Sequence, residues 1–192
     1  MNLTIIEEPS SRLAEYAQLS IGFTVAEILD EAALAALRDG ASAHAVAVSN
    51  LYWKDYDSYP GGHPSEWPQR FDLSRWSILA AFDGTRRVGG AIVIVDDPQI
   101  DLLRDCPECA LVWDLRVAPD ARRQGVGTAL LEAVERRARE RGARSLRVET
   151  QDVNVPACRI YQRHGFRLER IAPEAYPELP NEVQLLWWKP LK

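Results

Sequence analysis

Residues Arg122 to Gly127 read RRQGVG, between the apolar run ALVWDLRV and the periodic segment TALLEAVERRARERGA. Two arginines, a glutamine and two close glycines where a strand hands over to a helix make a place for an anion held by backbone. The free N–H groups at the helix start, with the positive end of its dipole, face whatever lies above the loop. Gly125 and Gly127 remove side chains that would keep a phosphate from those donors, and Arg122 and Arg123 add charge. An ordinary strand-to-helix turn, with glycines relieving strain, uses the same letters. A P-loop is excluded because the loop ends Gly127-Thr128 with no lysine. A dinucleotide fingerprint needs a small residue where Leu130 stands, and the unit starts too late in the chain for the second half of such a domain.

The elements that must position this loop are legible in parts. LTIIEE reads as a first strand, closed by Pro9 and a Ser-Ser pair placed to cap a short helix from Arg12. TVAEILDEAALAALRDG has helical spacing up to Gly40, although FTVAEIL also fits a strand. Residues 41–75 are least legible, with HAVAVSNLYW alternating like a strand and YPGGHPSEWP resembling loop chemistry. WSILAAF and RVGGAIVIV, joined by DGTR, read as a hairpin. A strand over 110–117 follows, then the glycine loop and a helix from about Thr128 to Arg141. Its apolar face carries Leu130, Val134 and Ala138, and its outside carries acid-first pairs Glu132/Arg136 and Glu135/Arg139. SLRVET, FRLERI and VQLLWWK read as strands, and NVPACRIYQRHG as a helix with Pro156 in its first turn and Gly165 as its stop. This is one mixed α/β domain over 1–192.

The chain of 192 residues is long enough for one buried core. Its net charge of -5 argues against general nucleic-acid binding. Basic residues gather between Arg122 and Arg144, and DDPQIDLLRDCPE (96–108) is the acidic counterweight; together they could hold an anionic cofactor and a cationic substrate, while each run also reads as an ordinary solvated face. No apolar stretch approaches a membrane span, the N-terminus lacks a secretory signal, and three cysteines make no disulfide framework. The expectation is a cytoplasmic protein with reduced thiols and no membrane partner.

The order strand, R-x-x-G-x-G, helix, strand, then Asn154-x-x-Ala157-x-x-Ile160-Tyr161-x-x-x-Gly165-Phe166 resembles the GNAT superfamily of acyl-CoA-dependent N-acyltransferases. VETQDVNVPACRIY and AYPELPNEVQLLWWK look most like streptothricin acetyltransferases. The resemblance runs from about Trp76 to the C-terminus, and residues 1–75 match less well. It implies the GNAT fold: a central, mostly antiparallel sheet that splays near Val117, with helices on both faces. Residues 76–192 would form the acetyl-CoA-binding core and 1–75 a variable, substrate-side half. It also implies acetyl transfer from acetyl-CoA to an amine, by direct attack in a ternary complex. Superfamily members are often dimers, so a homodimer is compatible.

Carried over residue by residue, the anion is the pyrophosphate of acetyl-CoA, held by Arg122, Arg123, Gln124, Gly125, Val126, Gly127 and Thr128. The pantetheine arm lies along the backbone of Leu115, Arg116 and Val117 like an added strand, and Asn154, also a plain N-cap type, contacts the cofactor. The amine must lose a proton before it attacks, charge then develops on the acyl oxygen beside a backbone N–H, and the leaving thiolate takes a proton. Tyr161 aligns with the family's general acid. Glu149, at the end of SLRVE and five residues before Asn154, is the candidate base, as in acetyltransferases of ribosomal-protein N-termini. Its ordinary pKa is low for a base, so it acts through water or is raised by burial. Asp114 is its rival on the neighbouring strand, where Leu111 replaces the glutamate of other members.

A cationic small-molecule amine is the favoured acceptor. A peptide N-terminus is the enzymatic alternative, and a non-catalytic acyl-CoA sensor is an alternative of another class. CPEC (106–109) has half the spacing of a zinc site, but no second pair follows and His44, His63 and His164 stand singly, so no metal is expected. Cys158 reads as a small buried residue. Tyr176, Trp187 and Trp188 suggest an aromatic cage for a cation, although alternating strand aromatics also fit a core.

Overall fold

In the computed structural model, which describes residues 2–41 and 43–192, LTIIEE forms β1 (Leu3–Glu8). The serine pair does not cap a helix. Ser10 and Ser11 form a short 3-10 turn that runs into α1 (Leu13–Tyr16), and no side chain caps either start. FTVAEI is a strand, β2 (Phe23–Ile28), and the helix α2 (Glu31–Arg38) begins only after Asp30. The Asp30 carboxylate accepts the Ala33 N–H at 2.9 Å, which ends the strand and starts the helix. Next come β3 (Val46–Lys54), α3 (Trp67–Arg70), β4 (Trp76–Asp83), β5 (Arg86–Val95) and β6 (Cys109–Val117). Then follow α4 (Val126–Glu140), β7 (Ser145–Gln151), α5 (Val155–Arg163), β8 (Arg167–Ala172) and β9 (Gln184–Pro190). Helix α4 starts two residues before the position its apolar spacing suggests, because Gly125 is its N-cap and Val126–Gly127 are already helical.

The chain divides into two compact units: the first runs to Gly22 and includes Asp55–Leu146 and Pro190–Lys192, and the second comprises Phe23–Lys54 and Arg147–Lys189. In the first unit β1, β4, β5 and β6 lie in that order, each antiparallel to its neighbour. Strands β4 and β5 are buried along nearly their whole length, so they read as continuous apolar runs rather than alternating ones. Helix α4 packs over β4, β5 and β6 with Leu130, Leu131, Val134 and Ala138 fully buried. Each such leucine contributes about 1.5–3 kcal/mol.

The two glycines of RVGGAIVIV admit two different neighbours. A Cβ on Gly89 would stand 2.9 Å from both the Arg116 carbonyl and the Val126 side chain, and 3.0 Å from Leu130. A Cβ on Gly90 would stand 2.5 Å from the Tyr16 ring. Adjacent strand residues face opposite sides of a sheet, so Gly89 lets α4 approach on one face and Gly90 lets Tyr16 approach on the other. Tyr16 begins an aromatic cluster, with ring centroids 6.4 Å apart for Tyr16–Trp67, 5.8 Å for Trp67–Trp76 and 5.2 Å for Trp76–Trp113. Trp113 is the extra residue of a bulge, since Val93 pairs with Val112 and Ile92 with Asp114.

In the second unit β7, β9 and β8 lie in that order, and β2 pairs with β3 in a separate two-stranded sheet. Helix α5 buries Tyr161 against Phe166 at 5.6 Å and Trp187 at 6.4 Å between centroids. Helix α2 packs on β8. The Lys54 ammonium at the end of β3 donates to both carboxylate oxygens of Glu182, at 2.7 and 2.6 Å, with the lysine fully buried. Sequence reading gave no sign of that pair, whose members stand far apart in the chain.

The glycine argument is checked by Gly89→Ala. Overpacking against a backbone carbonyl and two α4 side chains is expected to cost about 1–3 kcal/mol, read as a lower urea midpoint at unchanged slope. An unmoved midpoint would contradict the close approach of α4.

Candidate active site

The loop after β6 is built around two left-handed backbone positions, Arg123 at φ 60° and Gly125 at φ 88°. A non-glycine residue at positive φ is uncommon and is kept where a loop must present its backbone in one way. Consecutive turns of this kind point successive N–H groups to one side, which makes a concavity for an anion. Among the described residues, the backbone N–H groups of 123–128 donate to no backbone carbonyl, and the first to do so is Ala129, to Gly125 at 3.0 Å. A Cβ on Gly125 would meet nothing within 4 Å, so that side of the loop is open at Gly125. These are the properties a pyrophosphate cradle requires.

The two arginines have different tasks. Arg122 is turned inward: its Nε donates to the Val117 carbonyl at 3.0 Å, and its Nη2 donates to the carbonyls of Gly22 at 2.9 Å and Ser20 at 3.3 Å. It fastens the loop to the end of β6 and to the segment after α1. The Gln124 amide is likewise engaged, donating to the Asp120 carbonyl at 2.7 Å. Arg123 remains exposed beside the loop.

Leu115, Arg116 and Val117 pair on one edge with Ala91, Gly90 and Gly89 of β5. Their backbone is held in place by the Arg116 side chain, which is fully buried. Its guanidinium donates to Asp57 at 2.7 and 2.8 Å, to Asp114 at 2.9 and 2.9 Å, and to the Leu19 carbonyl at 3.1 Å. The Tyr16 hydroxyl donates to Asp114 Oδ1, and burial with the Asp114 charge holds that phenol well above its ordinary pKa. Asp114 is thus engaged at both oxygens. The structure gives it a supporting role in this network rather than the free carboxylate a base needs.

Glu149 lies near the end of β7, and its carboxylate accepts the Tyr176 hydroxyl. Burial pushes its pKa up, and the Tyr176 hydrogen bond pulls the other way. Tyr176, read from sequence as part of a cation cage, instead serves this carboxylate. The Asn154 side chain accepts the Ala157 N–H at 3.2 Å and is the N-cap of α5. Tyr161 follows two turns on, buried at 6% exposure, and Trp187 is core. Burial raises the Cys158 thiol far above its ordinary value, so it is a core residue without thiolate character.

Most carboxylates of the acidic segment 96–108 have near partners of their own. Asp96 pairs with Arg75, Asp101 with Arg104 and Glu108 with Arg144, and buried Asp97 accepts the Trp76 indole N–H at 3.0 Å. A cleft of about 610 Å³ lined by Asp97, Leu103, Cys106, Cys109 and Arg141 sits at the start of β6, the opposite end from the glycine loop. Among the described residues no group of three or more His, Cys, Asp or Glu is arranged to hold a metal ion, and no helix is long and apolar enough to cross a membrane.

This strand, loop and helix define the class to which the chain belongs. A family model described as Acetyltransferase (GNAT) family matches residues 45–166, and the chain belongs to that family. Streptothricin acetyltransferase A of Bacillus subtilis (strain 168) is 40% identical over 81 residues, 41% of this chain and 47% of that protein. The [Ribosomal protein bS18]-alanine N-acetyltransferase of Escherichia coli (strain K12) is 35% identical over 68 residues, 35% of this chain and 46% of that protein. The matches thus span about half the length of these curated relatives. A Bacillus anthracis str. Ames protein solved in complex with acetyl coenzyme A superposes with TM-score 0.75 at 21% identity, over 100% of both chains. That likeness shows the GNAT fold.

Arg116→Met tests the buried network. Leaving Asp57 and Asp114 uncompensated is expected to cost about 3–5 kcal/mol, seen as a lower denaturant midpoint. A variant as stable as the natural chain would contradict it.

Proposed function

We propose that this chain transfers an acetyl group from acetyl-CoA to a primary amine of a small cationic molecule, by direct attack in a ternary complex. The observation that carries the reading is the left-handed loop at Arg123 and Gly125, whose backbone N–H groups over 123–128 find no backbone acceptor at the start of α4. Bound acetyl-CoA supplies an activated thioester. The backbone N–H groups of 123–128 hold its pyrophosphate, with Arg123 adding charge and Arg122 and Gln124 holding the loop's shape. Leu115–Val117 hydrogen-bond the pantetheine amides along the strand and offer an N–H where charge develops on the acyl oxygen. Asn154 keeps the α5 start in register for a cofactor contact.

Glu149 takes a proton from the acceptor ammonium, directly or through water. Its burial-raised pKa brings it nearer the range where a carboxylate serves as a base. The Tyr161 hydroxyl returns a proton to the leaving thiolate. Residues 1–192 act as one functional domain, with 1–75 supplying acceptor contacts. The small-molecule acceptor is favoured by the likeness to streptothricin acetyltransferase A. The likeness to the bS18-alanine enzyme, together with Glu149 and Tyr161, favours a peptide N-terminus as the second reading.

The test is thiol release from acetyl-CoA against streptothricin, aminoglycosides, polyamines, lysine and short peptides. Release with the cationic small molecules is expected, and release with peptides alone would replace that acceptor by the second reading. Tyr161→Phe should lower kcat by about 10²-fold or more with acetyl-CoA affinity nearly unchanged. Equal losses in both would remove its role as acid. Because a carboxyl with a raised pKa gains its charge only as pH climbs past that value, the acidic limb of kcat/KM should lie above the ordinary glutamate range. It should vanish in Glu149→Gln, and a limb retained there would assign the base elsewhere.

A further inference from the structure

Tyr176 lies in the connection between β8 and β9, which is fastened along its length to other parts of the second unit. The Leu179 N–H donates to the Tyr176 carbonyl at 2.9 Å, and the Glu182 N–H donates to the Leu179 carbonyl at 3.0 Å, so two successive turns fix the spacing from Tyr176 to Glu182. At the far end, Glu182 receives both hydrogen bonds from buried Lys54, and Val183 exchanges bonds with Asp152. The Val183 N–H reaches Asp152 Oδ1 at 2.9 Å, and the Asp152 N–H reaches the Val183 carbonyl at 3.1 Å. Asp152 directly follows β7, the strand that carries Glu149. The segment 176–183 is therefore tied to the same strand at two points, through the Tyr176 hydroxyl at Glu149 and through Val183 at Asp152.

We propose that Tyr176 is a positioning residue for Glu149, its hydroxyl orienting the carboxylate for the incoming amine. The inference rests on the reading of Glu149 as base. A half-buried carboxylate with one strong donor has a defined direction, whereas the same group without it has less to oppose its desolvation. The groups that face Glu149 are the Tyr176 hydroxyl and, from α5, the Cys158 thiol, which the Glu149 charge holds further toward its protonated form. The thiol is a poor donor to a carboxylate, so it cannot replace the phenol. The distinction between kinds of role follows from the sign of the interaction. A hydrogen bond to the charged form favours ionisation and burial opposes it, so removing the hydroxyl leaves burial alone and moves the titration of Glu149 upward.

The experiment is Tyr176→Phe in the full chain, which keeps the ring and removes only the donor. Two readouts are used: carboxyl NMR titration of Glu149 with labelled glutamate, assigned by the signal lost in Glu149→Gln, and the pH profile of kcat/KM. The Glu149 midpoint is expected to rise by about one pH unit, the scale of one hydrogen bond to a charged group. The acidic limb should move with it while the plateau at high pH is largely recovered. A midpoint that stays in place, with activity lowered evenly across pH or not at all, would overturn the proposal. If Glu149→Gln keeps the acidic limb, the base assignment fails separately, and the NMR midpoint still decides whether Tyr176 acts on Glu149.

Discussion

The buried guanidinium of Arg116 is the interaction on which the first unit depends. A charge with no exposed surface is tolerable only when its donors are all met, and here two carboxylates and a carbonyl meet them. The partners come from separate stretches: Asp114 from the same strand, Leu19 from the turn after α1, and Asp57 from the segment after β3. One side chain therefore gathers two other stretches of backbone around the part of β6 that follows its bulge. Arg116 also lies over the rings of Tyr16 at 5.5 Å and Trp67 at 6.0 Å, which joins the ion network to the aromatic cluster. The strand backbone beside it, Leu115 to Val117, is held rigid as a consequence.

The glycine loop inherits that rigidity. Arg122 ties its first residue to Val117, and Val126 at its end packs where Gly89 has no side chain. Between these fixed ends the backbone has little freedom except the left-handed positions at Arg123 and Gly125. Preorganised N–H groups need no rearrangement when an anion arrives, which is why such loops bind tightly at little entropic cost. The position of α4 and the geometry of the glycine loop are thus one constraint seen from two sides.

Legibility in the sequence followed how local the determining physics is. Helix α4, the hairpin β4–β5 and the caps of α5 were readable because periodicity, a turn dipeptide and an N-cap act within a few residues. The loop RRQGVG and the order of elements around it carried the family, now borne out by the match over 45–166. What failed was long-range pairing. Nothing near Arg122 says that its Nη2 donates to the Ser20 and Gly22 carbonyls, and nothing near Asp114 announces Tyr16. Of the acidic run 96–108, Asp96 and Glu108 meet distant arginines, Asp97 an indole, and Asp101 the arginine three residues on. Tyr176 was noticed for its ring, whereas the structure uses its hydroxyl. The stop of α2 at Gly40 was readable, but its start was misjudged because Asp30, not the apolar spacing, sets where the helix begins.

The central claim is that the loop between β6 and α4 holds the pyrophosphate of CoA by its backbone. The most direct measurement is a titration of the isotope-labelled chain with CoA, following backbone amide resonances. The account predicts saturable shifts concentrated at residues 123–128, with smaller ones at Leu115–Val117, and a weaker response to pantetheine, which lacks the pyrophosphate. Saturable binding that leaves 123–128 unmoved, or no binding at millimolar CoA, would contradict it.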